Sequence, residues 1–298
     1  MANTNKRSGP QLACEIMPER IIAARATDNG TALDSFTAKN MAAGTVIPRL
    51  GEENIVSTET LRQAIGDALT TVGARSRELV AILPDAAVRV TLLDFDTLPD
   101  KRSDADEVIR FRLRKALPLD VEKCALSYDV LRSDGKVRVV AAVALASVIA
   151  EYESIFRDLG YTPGVVLPST LAALGNVSGN DPILVIKSDA NTTTMAIVGA
   201  GELLLYRTLE NNTGGVAPSG EQLVEDIHAS LIFFQDTYNM RVTRILVGGL
   251  IDADQVRETI ESQTDTRVEN LVTSTEIGAA RPNFPASNLA GVVGALLG

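Results

Sequence analysis

At 298 residues the chain is long enough to bury a large core in more than one lobe, and 45% apolar with 22% charged residues is globular rather than disordered composition. A net charge of −10 argues against a general nucleic-acid binder, which needs a basic surface. Cys14 and Cys124 lie far apart without metal-site spacing and read as reduced thiols, no run reaches the about eighteen apolar residues of a membrane span, and the opening MANTNKRSGPQ lacks the apolar region of a signal peptide.

The first predicted unit is a three-stranded meander over 12–37. An apolar strand at Leu12–Ile16 meets a short turn at Pro18, then a strand at Arg20–Ala26, then an Asp28-Asn29-Gly30 turn and a third strand from Thr31. Asn-Gly between apolar runs is a strong hairpin signal. A helix follows over Thr58–Val72, with Leu61, Ile65 and Leu69 on one face and a capping start at Ser57.

The next stretch alternates strands and helices. Arg77–Leu83 and Ala87–Phe95 read as strands around a Pro84-Asp85 turn. A helix over Asp104–Leu117 opens on a capping-box-like Ser103-Asp104-Ala105-Asp106 and stops before Pro118. Leu126–Leu131 and Val137–Ala144 form a hairpin across Ser133-Asp134-Gly135, and a helix over Ser147–Leu159 ends at Gly160. Residues 77–164 thus read as a compact α+β insert.

Residues 183–209, ILVIKSDANTTTMAIVGAGELLLYRTL, repeat the meander: Ile183–Ile186, Met195–Val198 and Glu202–Thr208, with turns at Lys187–Thr194 and Gly199–Gly201. Asn191, Thr192 and Thr193 in the first turn are suited to present hydroxyls and N–H groups to an anion, while Lys187 and Asp189 suit a magnesium-phosphate site poorly. Two copies of one meander suggest duplicated lobes facing a cleft. The helix over 221–239 carries Leu223, Ile227, Leu231, Phe234 and Tyr238 as a core-facing stripe, capped by Ser219 or Gly220. His228, the one histidine, has no serine or carboxylate partner at a readable spacing and is structural or exposed. A strand at Arg244–Val247 runs into Gly248-Gly249-Leu250 and a helix over Asp252–Ser262, a layout that serves equally for a ligand at a helix N-terminus or for a packing turn. Leu289–Leu297 is a small-residue helix. No nucleophile constellation or His/Cys cluster is present, so no catalytic residue and no metal cluster is assigned.

In this order the elements resemble the PilM proteins of type IV pilus assembly, within the actin-like ATPase superfamily. The resemblance rests on Ile82-Leu83-Pro84, Leu98-Pro99, Lys115-Ala116-Leu117-Pro118-Leu119 and Tyr128-Asp129-Val130-Leu131, with Val165–Leu174 (VVLPSTLAAL) as the return to the first lobe. It implies an α/β, actin-like (ribonuclease H-like) two-lobed fold with an inserted small α+β domain and a reduced second lobe. The divisions are 1–76 for the start of the first lobe, 77–164 for the insert, 165–180 for the return, and 181–298 for the second lobe with its C-terminal helix packing back.

The family's nucleotide motifs are degenerate here. Its first meander opens on G-[IL]-D-[IL]-G, where this chain has Ala13-Cys14-Glu15-Ile16-Met17. Its second carries D-[IL]-G, where this chain has Lys187-Ser188-Asp189. A side chain at Met17 blocks close backbone approach to phosphate, and Asp189 repels it. The family's small extra subdomain is also missing between Arg207 and Glu221, where the chain has only ENNTGGVAPSG.

The resemblance therefore implies a cytoplasmic scaffold at the inner face of the inner membrane, in pilus or related type II secretion assembly. Its partner is the N-terminal cytoplasmic peptide of a PilN-like single-span inner-membrane protein, and nucleic acid is not a partner. Candidate docking residues are Arg110, Arg114, Lys115, Leu117, Pro118 and Tyr128. A second reading is a working ATPase or kinase with ATP and magnesium, in which Glu15 serves magnesium, Asn191, Thr192 and Thr193 the phosphates, and Gly248 and Gly249 the nucleoside. A third is a filament-forming actin-like protein.

Overall fold

The computed structural model describes residues 10–73, 75–133, 136–211, 218–278 and 282–298. The 134–135 turn and most of the 210–220 loop, including the site of the missing subdomain, lie outside the described residues.

Two five-stranded sheets repeat one topology. The first holds β1 (Leu12–Ile16), β2 (Arg20–Ala26) and β3 (Leu33–Asn40), with α1 (Thr58–Thr71) between β3 and β4 (Glu78–Leu83). After β4 come β5 (Arg89–Phe95), α2 (Arg102–Ala116), β6 (Cys124–Ser133), β7 (Lys136–Leu145), α3 (Ala146–Asp158), β8 (Thr162–Pro168) and α4 (Ser169–Leu174). The second half runs β9 (Ile183–Ser188), β10 (Thr192–Gly199), β11 (Glu202–Glu210), α5 (Gly220–Tyr238), β12 (Arg244–Gly249), α6 (Ala253–Thr264), β13 (Arg267–Asn270), α7 (Ser274–Ile277) and α8 (Ala290–Leu297). The sheet orders are β3-β2-β1-β4-β8 and β11-β10-β9-β12-β13. In each, an antiparallel meander is extended by two parallel strands. The faint repeat in the sequence is thus a duplicated α/β lobe.

The insert is shorter than the expected 77–164. β4 pairs in parallel with β1 through Ala13–Val80 and Glu15–Ile82, so it belongs to the first sheet. α3 buries Val148, Tyr152, Ile155 and Phe156 among Leu61, Ile65 and Leu69 of α1, in the first lobe's core. What remains is the sheet β5-β7-β6 with α2 packed on it through Ala105, Ile109 and Leu113.

Two expected caps also differ. The Ser57 hydroxyl bonds Thr60 Oγ1 rather than a backbone amide, and α2 begins at Arg102 without a side-chain cap. Ser219 and Gln222 do form a full capping box on α5. Cys14 and Cys124 are both free and buried, and His228 is exposed.

A further core joins the lobes. Ala13 and Ile22 of the first sheet, Met17 in the turn between them, Ile183 and Val185 of the second sheet, and Ala290, Val292 and Val293 of α8 share one buried cluster. The C-terminal helix therefore packs back between the sheets, and its small residues permit it: a Cβ on Gly294 would stand 2.1 Å from the carbonyl oxygen of Ala172 in α4. Among the described residues no helix is long and apolar enough to cross a membrane.

Candidate functional site

Three chain reversals meet where the lobes join: Met17–Glu19 between β1 and β2, Asp189–Asn191 between β9 and β10, and Gly249-Leu250 after β12. The first closes through Met17 N–H to Arg20 O (2.9 Å) and the second through Asp189 N–H to Thr192 O (2.9 Å), while the third is tied to the end of β9 by Leu250 N–H to Ser188 O (2.8 Å).

Glu15 on β1 is fully buried. Its Oε1 accepts from Lys187 Nζ at 2.8 Å and from Ser169 Oγ at 2.5 Å, and Lys187, itself 2% exposed, also donates to Ser169 Oγ. Burial lowers the Lys187 pKa, but the charges of Glu15, Asp85 and Asp189 outweigh it and leave the ammonium above its ordinary value. Glu15 Oε2 is buried without a hydrogen-bond partner. A neighbouring set repeats the pattern. Asp85 Oδ1 accepts from Thr170 N–H (2.9 Å) and the Tyr206 hydroxyl (3.0 Å), and Oδ2 from Thr170 Oγ1 (2.6 Å). Burial and the Asp85 charge hold the Tyr206 hydroxyl well above the ordinary phenol range.

The expected phosphate cradle is filled from within. Asp189 Oδ1 accepts the N–H groups of Asn191 (2.8 Å) and Thr192 (2.7 Å) and the Thr192 hydroxyl (3.2 Å). Thr193 Oγ1 turns to Asn211 Oδ1 (2.8 Å) and Ser188 Oγ (3.1 Å). Burial raises the Asp189 carboxyl to about 7; the two amide bonds pull it down, and the charges of Asp85 and Glu19 push it further up. Glu19 is likewise raised, first by burial, with Arg20 and Lys187 opposing.

Gly248 and Gly249 pair with Lys187 and Ser188 as the end of the β12–β9 ladder. Gly249 has φ +76°, and a Cβ there would lie 2.1 Å from Ser188 O, so the glycine serves close strand packing. The start of α6 is capped by Asp252 and by Asn270, whose Oδ1 accepts Ala253 N–H at 2.9 Å. Gly-Gly thus forms a packing turn. Asn288, with its amide oriented to satisfy both neighbours, donates to Gly249 O (2.8 Å) and accepts from Arg20 Nη1 (3.1 Å).

These side chains do not fit a magnesium nucleotide. Glu15 Oε1 already holds an ammonium while Oε2 faces Gly291 of α8, and the Asn191 and Thr192 amides already hold a carboxylate.

On the insert, Arg110 is a staple: Nε bonds Asp106 at 2.7 Å, and Nη1 bonds the carbonyls of Val121 (2.6 Å) and Cys124 (3.2 Å). Arg114 and Lys115 lie exposed over Phe111, 5.7 and 4.6 Å from its ring centroid. Leu117 is half-buried against the insert core and Pro118 is exposed. Tyr128 sits apart, at the other end of α2, where its hydroxyl bonds Arg102 O at 3.2 Å. Arg114 lies twelve residues on from Arg102 along the helix, about 18 Å at 1.5 Å per residue. The expected six-residue patch is thus three features.

Two further features lie on or beside the insert. Phe111 is 55% exposed between those cations. An apolar cavity of about 200 Å³ lies where the insert sheet meets the first lobe, between Leu126 and Ala142 on one side and Ile149 and Leu167 on the other.

No protein-family model and no curated protein matches the chain. Solved structures do. A chain of a PilM-PilN type IV pilus biogenesis complex aligns at 17% identity, over 97% of this chain and 98% of that one, with a TM-score of 0.79. A Bacteroides thetaiotaomicron protein of unknown function with an actin-like ATPase fold aligns at 10% identity over 98% of both chains (TM-score 0.56). The cytoplasmic domain of EpsL, an inner-membrane component of the Vibrio cholerae type II secretion system, aligns at 11% over 95% and 93% (TM-score 0.53). The chain therefore has the actin-like ATPase fold.

Proposed function

We propose that the chain is a cytoplasmic scaffold of a type IV pilus or related type II secretion apparatus. It works at the inner face of the inner membrane and docks the N-terminal cytoplasmic peptide of a PilN-like single-span protein. The observation that carries the reading is likeness of fold, along nearly the whole of both chains, to a component of a PilM-PilN complex. Fold alone does not assign an activity, so the site must supply the rest.

The insert supplies a docking face. Phe111 is an exposed aromatic anchor, and Arg114 and Lys115 beside it favour an acidic or carbonyl-rich peptide on an otherwise acidic protein. Nucleotide hydrolysis is lost in this reading, because Lys187 and Asp189 occupy the groups that hydrolysis needs.

The test is a titration of the intact protein with a synthetic peptide from the N-terminus of a PilN-like single-span membrane protein encoded beside it. Binding is expected, weakened by Arg114→Glu/Lys115→Glu with Arg110 left in place. An unchanged affinity removes this face from the reading. The working-ATPase alternative predicts heat on adding magnesium-ATP, and its absence in calorimetry disposes of it.

A further inference from the structure

Two adjacent residues at the start of α4 connect the lobes by parallel routes. Ser169 Oγ donates to Glu15 of the first sheet and accepts from Lys187 of the second. Thr170 donates twice to Asp85, which follows β4, and Asp85 accepts the hydroxyl of Tyr206 on β11 of the second sheet. Each route is therefore a carboxylate of one lobe, a hydroxyl residue of α4 and a donor from the other lobe. Glu15, Asp85, Ser169, Thr170 and Lys187 are all at most 4% exposed. These bridges stand where the fold implies a magnesium nucleotide, between the two hairpin turns, and the residues do not fit that group.

We propose that the protein carries its own ligand: Lys187 takes the place of the metal cation, Asp189 that of the phosphate, and the Glu15–Ser169–Lys187 and Asp85–Thr170–Tyr206 bridges hold the lobes together without a nucleotide. The physical argument is charge balance in a buried seam. A cation bound between open carboxylates would neutralise such a seam and draw the lobes together. Here a covalently attached ammonium does so permanently, and the second turn's amides are satisfied by a covalently attached carboxylate. The lobe disposition is then a fixed property of the chain and not a response to nucleotide. This deepens one part of the proposed function, the lost hydrolysis, and does not depend on the partner.

The experiment is amide hydrogen exchange with solution scattering on the intact chain, with and without excess magnesium-ATP. For the wild type, magnesium-ATP is expected to alter neither exchange at residues 17–20 and 189–192 nor the scattering profile. Protection of either turn by magnesium-ATP overturns the proposal outright, whatever the variants do. Glu15→Gln/Lys187→Met removes both charges at nearly constant volume, and adding Tyr206→Phe cuts the second bridge. The triple variant is expected to exchange about tenfold faster at the two turns and to scatter as a wider particle, while exchange in β12 stays the same. Exchange and scattering identical to wild type in the triple variant overturn the proposal. Tyr206→Phe alone, a single-atom deletion, gives the same reading in smaller degree if the triple variant does not fold, and no change in it then overturns the second bridge. Partner-peptide affinity is measured on the same samples. Loosened lobes without peptide binding count against the docking reading alone, and peptide binding without loosening counts against this one alone.

Discussion

Gly291 makes room for Glu15. A Cβ built on this residue of α8 would stand 2.3 Å from Glu15 Oε2 and 2.6 Å from Cδ. The carboxylate cannot retreat, because Oε1 is held by Lys187 and Ser169 in a seam closed to water. The C-terminal helix and the buried ion pair are therefore mutually dependent: the small-residue character of α8 is what lets a charged pair sit beneath it.

Gly291→Ala is expected to destabilise the protein by about 1–3 kcal/mol, the usual cost of forcing one methyl group into a packed interior. Urea unfolding measures it. A midpoint equal to wild type would mean that α8 shifts freely over the seam.

The ion pair itself should show the asymmetry of buried charges. Lys187→Met alone leaves Glu15 buried and unpaired and is expected to cost about 3–5 kcal/mol, whereas Glu15→Gln/Lys187→Met is expected to cost much less, since removing both charges is often nearly neutral. Thermal unfolding of the three proteins ranks them, and a double variant less stable than the single one would contradict the ranking.

Asp189 predicts a pH dependence of definite sign. Its folded pKa of about 7 lies above the ordinary 3.8, so between these values the folded state holds a proton that the unfolded chain has released. Stability then falls as pH rises from about 4 to about 7 and is level above, with a slope set by the one excess proton. Asp85 and Glu19, which raise this pKa, remain in Asp189→Asn, so the wild-type minus variant difference isolates the one group. Chemical denaturation at pH 5 and pH 8 checks it. A difference that does not depend on pH would show that Asp189 stays ionised in the fold.

On the insert, Arg110 and Arg114 should separate cleanly. Arg110→Ala removes three charge-assisted bonds, two of them to the carbonyls of Val121 and Cys124, and is expected to cost about 1.5–3 kcal/mol. Arg114 is half exposed, with its nearest carboxylate at 3.8 Å, and its alanine variant should stay within about 0.5 kcal/mol of wild type. Equal effects on the melting temperature would contradict the staple.

What the sequence determined by itself is everything with a local cause. The hairpins at Gly30 and Gly201 close because glycine accepts the left-handed conformation found there, with φ of 65° and 77°. The four-residue spacing of Leu61, Ile65 and Leu69 makes α1, and the stripe from Leu223 to Tyr238 makes α5. Two such meanders, each followed by a helix, were enough to read a duplicated lobe. Lys187 and Asp189 were visible as misfits to a nucleotide, since their charges are local facts.

Only the tertiary structure decided where those charges go. Glu15 and Lys187 are 172 residues apart, and no spacing rule links an acid on one strand to an amine on another until two sheets are packed. For the same reason β4 read as the first strand of the insert, turning at Pro84-Asp85 into β5. A strand–Pro–strand pattern states that two strands exist but not which edges they pair with, and the parallel partner of β4 is β1. Arg110 looked like a free cation because its bonds to Val121 and Cys124 need the chain to turn back past Pro118. Periodicity and turn chemistry act over a few residues, while burial of a charge is a property of everything folded around it.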